Sequence, residues 1–148
     1  MARVNLHWDP SNPDDPGPCI DVIVSNSADV IEAGRAIGLE YPEPRKMTAL
    51  LDTGASVTVI SKVFANHCKL FQTNEGSEIT AIGAQHHCWE HAGAISFPGT
   101  GLRAFDPIRI VSAVFVKERY YAILIGRDIL RNWIITFDAR HKRVTIED

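Results

Sequence analysis

Residues 50–56 read Leu-Leu-Asp-Thr-Gly-Ala-Ser, and residues 123–128 read Ile-Leu-Ile-Gly-Arg-Asp. The first stretch ends an apolar run, Met47 to Leu51, on a carboxylate, a hydroxyl and a glycine in succession. Some seventy residues later the second stretch sets three aliphatics before a glycine. The aliphatic triplet reads as a buried strand threading beneath the Asp52 loop. Gly54 lets backbone groups approach where a β-carbon would collide. The chain of 148 residues carries Asp-Thr-Gly once.

Together these stretches resemble the two-part signature of aspartic proteases. Pepsin-like enzymes are longer and repeat the half-site, so a chain with one copy resembles the retroviral type, the retropepsins. That resemblance implies an all-β, retropepsin-like acid protease fold: a partly closed β-barrel with one short C-terminal helix and an active site formed at a homodimer interface. Asp52 is then the catalytic residue, and Asp52 of the second chain completes the pair. Two carboxylates held close together cannot both ionise easily and share one proton. In pepsin such a dyad loses its two protons in well-separated steps, leaving one partner as general acid and the other as general base.

The resemblance also assigns roles to the neighbours of Asp52. Thr53 locks the two active-site loops across the dimer axis, Gly54 gives access to substrate, and Ala55 is the small residue retroviral enzymes place next. Ser56 reaches the substrate backbone, while Val57, Ile82 and Ile125 favour apolar side chains around the cut. The hairpin after the loop is the flap of the family, with Ile82, Gly83 and Ala84 as its tip, closing as a lid over a peptide bound as an added strand. Gly126, Arg127 and Asp128 open the short helix that supports the loop. The chain departs from the family at Ser56, where retroviral enzymes commonly carry an Asp that pairs with the helix arginine. Arg127 therefore needs another partner: Asp128, a carboxylate of the second subunit, or solvent. The mechanism calls for no cofactor and no metal.

Composition fits one small domain. A chain 45% hydrophobic at this length can bury a proper core. The expected organisation is a Pro-rich N-terminal arm over residues 1–18 and a protease domain over 19–148. A net charge of −3 offers no basic field for a nucleic-acid partner. No apolar run approaches the roughly 18 residues of a membrane span, and the N-terminus lacks the apolar core of a signal peptide, so a cytoplasmic protein is expected. A segment of a polyprotein is the alternative, its Pro-rich start marking a processing junction. Cys19, Cys68 and Cys88 are odd in number and widely spaced, which reads as reduced thiols.

The remaining pattern is overwhelmingly β. Residues 9–18 hold four of the eight prolines and read as a turn-rich loop or arm. Ile20, Val22 and Val24 mark a largely buried strand to about Asn26. Residues 27–46 read as a helical turn broken by glycine or as a surface loop. Met47 to Asp52 delivers the catalytic loop, Val57 to Ile60 leaves it, and Ser61 caps a helical turn to about Cys68. Strands are expected at 77–85, 92–97, 108–116 and 120–125. Residues 133–138 and 143–147 flank Ala139-Arg140-His141-Lys142 as a hairpin. This adds a strand where retroviral enzymes usually stop and interleave their ends in the dimer sheet, a feature that resembles cellular and bacterial relatives.

Rival readings attach to several residues. His67, Cys68 and the run His86-His87-Cys88-Trp89-Glu90-His91 contain zinc-ligand types, but in a strand alternation divides these side chains between faces, and a solvated strand is the simpler reading. Trp8, Trp89 and Trp133 read as packing anchors. Arg131 and the cluster Arg140 to Arg143 read as solvated surface. The function expected is an aspartic endopeptidase working as a homodimer on a peptide or protein substrate. The alternative is a catalytically silent dimeric peptide-binding module of the same fold.

Overall fold

The computed structural model describes residues 1–81, 84–115 and 121–148. Strand β2 (Cys19–Asn26) leads into helix α1 (Ala28–Ala36), and β3 (Lys46–Leu51) returns antiparallel to β2. Strand β4 (Val59–Ser61) runs directly into helix α2 (Lys62–His67), followed by the hairpin of β5 (Ser77–Ala81) and β6 (Ala84–Ser96). Strands β7 (Phe105–Ala113) and β8 (Ile123–Ile125), the short helix α3 (Arg127–Leu130), and the hairpin β9 (Ile134–Asp138) and β10 (Arg143–Glu147) complete the order. Ahead of β2 lies β1 (Arg3–His7).

Six strands close on one another in the order β2-β3-β8-β4-β7-β6, because β2 pairs with β6 as well as with β3. The closure is mixed: β3 with β8 and β4 with β7 are parallel pairs, the others antiparallel. A closed barrel buries alternate residues of each strand inside. Ile20, Val22 and Val24 of β2, Ile60 of β4, Ile110 of β7, and Ile123 and Ile125 of β8 fill the interior together. A second sheet, β1-β10-β9, lies beside the barrel and adds Ile146 to the same core, with Trp133 just ahead of β9. Trp133 stacks edge-on against Phe97, with ring centres 5.0 Å apart. No helix among the described residues is long and apolar enough to cross a membrane.

Several expectations are met element by element. The tail forms the expected hairpin, with Val144 opposite Phe137 and Ile146 opposite Ile135. Gly34 does not break α1. A β-carbon there would lie 1.7 Å from the Tyr41 hydroxyl oxygen, so the glycine makes a seat for Tyr41, whose hydroxyl donates to Val30 O at 3.1 Å. The Ser27 hydroxyl caps the helix by accepting from Val30 N, and the Asp106 carboxylate accepts from Ala28 N. Two differences stand out. Residues 3–7, expected within an irregular arm, form β1 and pair antiparallel with β10 from Arg3 opposite Glu147 to His7 opposite Arg143. Residues 84–96, expected as separate pieces, form one continuous strand with an irregularity between Gly93 and Ile95. Ile82 and Gly83 lie outside the described residues, as do Val116 to Tyr120.

The histidine-rich strand is not a solvated one throughout. His91 is buried, and its Nε2 lies 2.8 Å from Ser112 Oγ across the β6–β7 ladder. Burial first, and the Lys62 ammonium second, hold the imidazole below its ordinary pKa. Above that ordinary value, near 6.5, neither folded nor unfolded chain is charged at this residue; as pH falls below it the unfolded chain takes up a proton that the folded chain resists. Stability should therefore fall on acidification, and His91→Gln should flatten the dependence between pH 6.5 and 5 by up to about 1.4 kcal/mol per pH unit. Denaturant melts of both proteins across that range check this. Parallel curves would contradict it.

Candidate active site

Strand β3 ends at Leu51, opposite Ile125 of the parallel strand β8, and the next residue is Asp52. The Asp52 amide donates to Ile125 O at 2.9 Å, so the ladder carries on for one bond past the strand and fixes where the carboxylate leaves the sheet. The chain then turns tightly. Ala55 N donates to Asp52 O at 3.2 Å, and Gly54 N donates to the Asp52 carboxylate oxygen Oδ1 at 2.9 Å. Asp52 is half-buried, while Thr53, Gly54 and Ser56 are exposed. A β-carbon at Gly54 would stand 3.2 Å from Asp52 Oδ1, tight against the carboxylate.

Helix α3 holds this loop from behind. Arg127 N donates to Ala55 O at 2.9 Å, and the Arg127 guanidinium donates to Thr53 O at 3.0 Å and Gly54 O at 3.4 Å. These carbonyls are the partners of Arg127, rather than Asp128; they replace the carboxylate that Ser56 cannot supply. Asp128 is engaged elsewhere: its Oδ2 accepts from Thr58 N at 3.0 Å and its Oδ1 from the Thr58 hydroxyl at 2.8 Å. The same hydroxyl oxygen accepts from Gly126 N at 3.2 Å. Thr58 is fully enclosed, so its hydroxyl joins β4 to α3 inside the protein. The sequence reading passed over Thr58. Its one signal was a polar residue set within the run Val57-Thr58-Val59-Ile60.

Gly126 is required by space. A β-carbon there would lie 2.4 Å from both the carbonyl carbon and oxygen of Val57, which are backbone atoms that cannot swing aside. Its φ of −87° is ordinary, so the constraint is contact rather than conformation.

The apolar residues divide by strand alternation. Ile125, expected to touch substrate, has no exposed surface and belongs to the barrel interior with Ile123. Leu124 between them points the other way. It packs with Val57 and Phe115 on a smaller cluster of Val59, Cys88, Val111 and Ala113. Val57 and Leu124 therefore share one face beside the Asp52 loop. Ala84 pairs with Ala81 where β5 and β6 meet, at the end of the hairpin.

Burial, followed by the Asp15 charge, pushes the Cys19 thiol up to about 11, and burial raises that of Cys68, the opposite of an activated nucleophile. No cluster of three potential metal ligands occurs among the described residues. A groove of about 390 Å³ lined by Leu39, Tyr41, Lys69 and Phe71 lies beyond the start of β3, away from its Asp52 end.

The sequence pattern of retroviral aspartyl proteases matches residues 14–137. The chain belongs to that family. Among solved structures it is similar to a retropepsin-like aspartic protease from Rickettsia conorii, with a TM-score of 0.58 and 12% identity over 99% of this chain and 93% of that one. It is also similar to the EIAV protease in complex with the inhibitor HBY-793, with a TM-score of 0.53 and 19% identity over 82% of this chain and 92% of that one. Compared with curated proteins by sequence, it matches none. At these identities the structural likeness is one of fold, and both neighbours are covered nearly end to end. The retropepsin-like fold is thus the frame in which the Asp52 loop sits.

The clamp behind the loop can be tested by stability. Gly126→Ala should destabilise by about 1–3 kcal/mol or more, because neither Val57 nor α3 can retreat. Thr58→Val keeps the shape and the residue 58 amide bond to Asp128, but removes the hydroxyl bond to Asp128 Oδ1 and leaves the Gly126 amide without its acceptor, a loss of about 1–3 kcal/mol. Urea unfolding of the two variants reads both values; wild-type midpoints would show that the clamp carries no strain and no bond of consequence.

Proposed function

We propose that the chain is an aspartic endopeptidase whose active site is shared by two copies, each supplying Asp52. The observation that carries this reading is the placement of a single half-buried carboxylate on a tight loop, bonded to the Gly54 amide and braced from behind by Arg127, in a chain of the retroviral aspartyl protease family. One carboxylate alone is a weak base. Two facing each other would share a proton, the ionised one drawing a proton from a bound water and the other donating to the peptide carbonyl oxygen. Water attacks the carbonyl carbon to give a gem-diol; the amine leaves as it takes a proton, and no covalent enzyme intermediate forms.

The rest of the loop has matching tasks in this proposal. Thr53, exposed beside Asp52, meets its counterpart across the two-fold axis. Gly54 and Ala55 keep the approach open, and the Ser56 hydroxyl bonds the substrate backbone. Val57 and Leu124 form the apolar wall against which side chains next to the cut pack. The β5–β6 hairpin serves as the flap, with Ile82, Gly83 and Ala84 at its tip, adding backbone bonds to an extended peptide. Gly126, Arg127 and Asp128 hold the loop in place. Protonated thiols fit a reducing cytoplasmic setting.

Incubation of the wild-type chain and Asp52→Asn with a diverse mixture of unstructured peptides, from acid to neutral pH, tests the reading. Wild-type cleavage is expected, with apolar residues enriched at the cut, and Asp52→Asn should lose on the order of 10²–10⁴-fold or more of that rate. Equal cleavage by both proteins would remove Asp52 from the chemistry. Binding of peptides without cleavage by either would leave a silent peptide-binding module.

A further inference from the structure

A row of directly opposite residues crosses four strands of the barrel. Leu124 of β8 faces Val59 of β4, Val59 faces Val111 of β7, and Val111 faces Glu90 of β6. Opposite residues share one face of a sheet, so the row starts at the apolar wall beside the Asp52 loop and ends on a carboxylate. Val59 and Val111 are buried in its middle, and Val57 packs against them. Three inter-strand steps span roughly 14 Å, the reach of about four residues of an extended peptide.

At Glu90 the row returns to solvent. Arg109, two residues before Val111 and therefore on the same face, donates through Nη2 to the Glu90 carboxylate. The Glu90 side chain is 23% exposed and that of Arg109 55%. Both backbone groups of Glu90 are held, its carbonyl accepting from Thr73 N at 2.8 Å and its amide donating to Asn74 Oδ1 at 3.3 Å. The hydrogen bond to Glu90, with the Asp128 charge adding at longer range, keeps the guanidinium charged. The Asp128 oxygens are themselves occupied by Thr58 and by Ile129 N.

The cation is thus the more exposed member of the pair. Glu90 is the one hydrogen-bond partner of Arg109 among the described residues, and a guanidinium carries five N–H donors. Its planar fork suits a second carboxylate, which it can hold through two parallel bonds. An exposed ion pair contributes little to stability, so the pair has small value to the fold alone.

We propose that Arg109, seated by Glu90, is a specificity-determining residue that takes an acidic side chain of the substrate at the outer end of the apolar wall, about four residues from the cut. The inference rests on the peptide cleavage proposed above and names a substrate preference of that same site.

A neutral peptide that the wild type cleaves, remade with Glu, Gln or Lys at each position about three to five residues from the cut, tests this. The values of kcat/KM are compared for wild type, Arg109→Gln and the exchanged pair Arg109→Glu with Glu90→Arg. At one such position wild type should prefer Glu to Lys by roughly fivefold or more. Arg109→Gln should bring that ratio close to one, and the exchanged pair, which keeps both charges, should turn it in favour of Lys. A role in stability alone would leave the ratio untouched. A wild-type ratio near one, a wild-type preference for Lys, or a ratio that survives both variants overturns the inference while leaving the shared site standing. A wild-type chain that cleaves no peptide overturns both.

Discussion

Gly126 has no side chain, and the backbone of Val57 occupies the space one would need. This contact draws together the two ends of the site. On one side the chain has just left β8, whose Ile125 carbonyl holds the Asp52 amide. On the other it enters α3, whose Asp128 carboxylate takes both donors of Thr58. The loop between Asp52 and Thr58 is thereby fixed at its beginning, its middle and its end, by Ile125, Arg127 and Asp128 respectively. Charged acceptors make the stronger hydrogen bonds, and the enclosed position of Thr58 keeps water from competing with its hydroxyl. In the proposed shared site a carboxylate facing a second one at short range cannot be left to wander, and this packing limits the freedom of the Asp52 loop within one chain.

The same short strand β8 serves two surfaces. Ile123 and Ile125 point into the barrel, where they have no contact with solvent, and Leu124 points to the smaller cluster that Val57 and Phe115 share. Strand alternation thus separates the residues that hold the fold from those available to a ligand. A change at Leu124 alters the wall of the proposed cleft with little cost inside, whereas a change at Ile125 acts on the core. His91 and Ser112 add a polar contact across β6 and β7, and β6 continues into the β5–β6 hairpin, so the hairpin rises from a base that contains a buried imidazole.

Much of this was legible in the residues because local and global signals agreed. Alternation in β2 and in the β9–β10 hairpin, the aliphatic triplet of β8, and the Asp-Thr-Gly turn each have one low-energy reading. The misreadings share a cause, which is that a distant partner decided the outcome. Residues 3–7 are short and polar on one face, and become a strand only because β10, at the other end of the chain, offers an edge. Gly34 looks like a helix breaker until Tyr41 fills the space above it. Ile125 and Leu124 are chemically alike, and only the register of β8 against β3 and β4 says which one faces outward. Thr58 appeared to be an ordinary β-branched residue, since its value lies in Asp128, seventy positions away.

The central claim is that one active site needs a carboxylate from each of two chains. The most direct measurement mixes active wild-type chain with inactive Asp52→Asn chain, allows subunits to exchange, and follows peptide cleavage per wild-type chain. If each site draws on two chains, that specific activity falls with the fraction of wild type, to about half in an equal mixture. If activity per wild-type chain is unchanged at every ratio, a single chain is sufficient and the account is wrong.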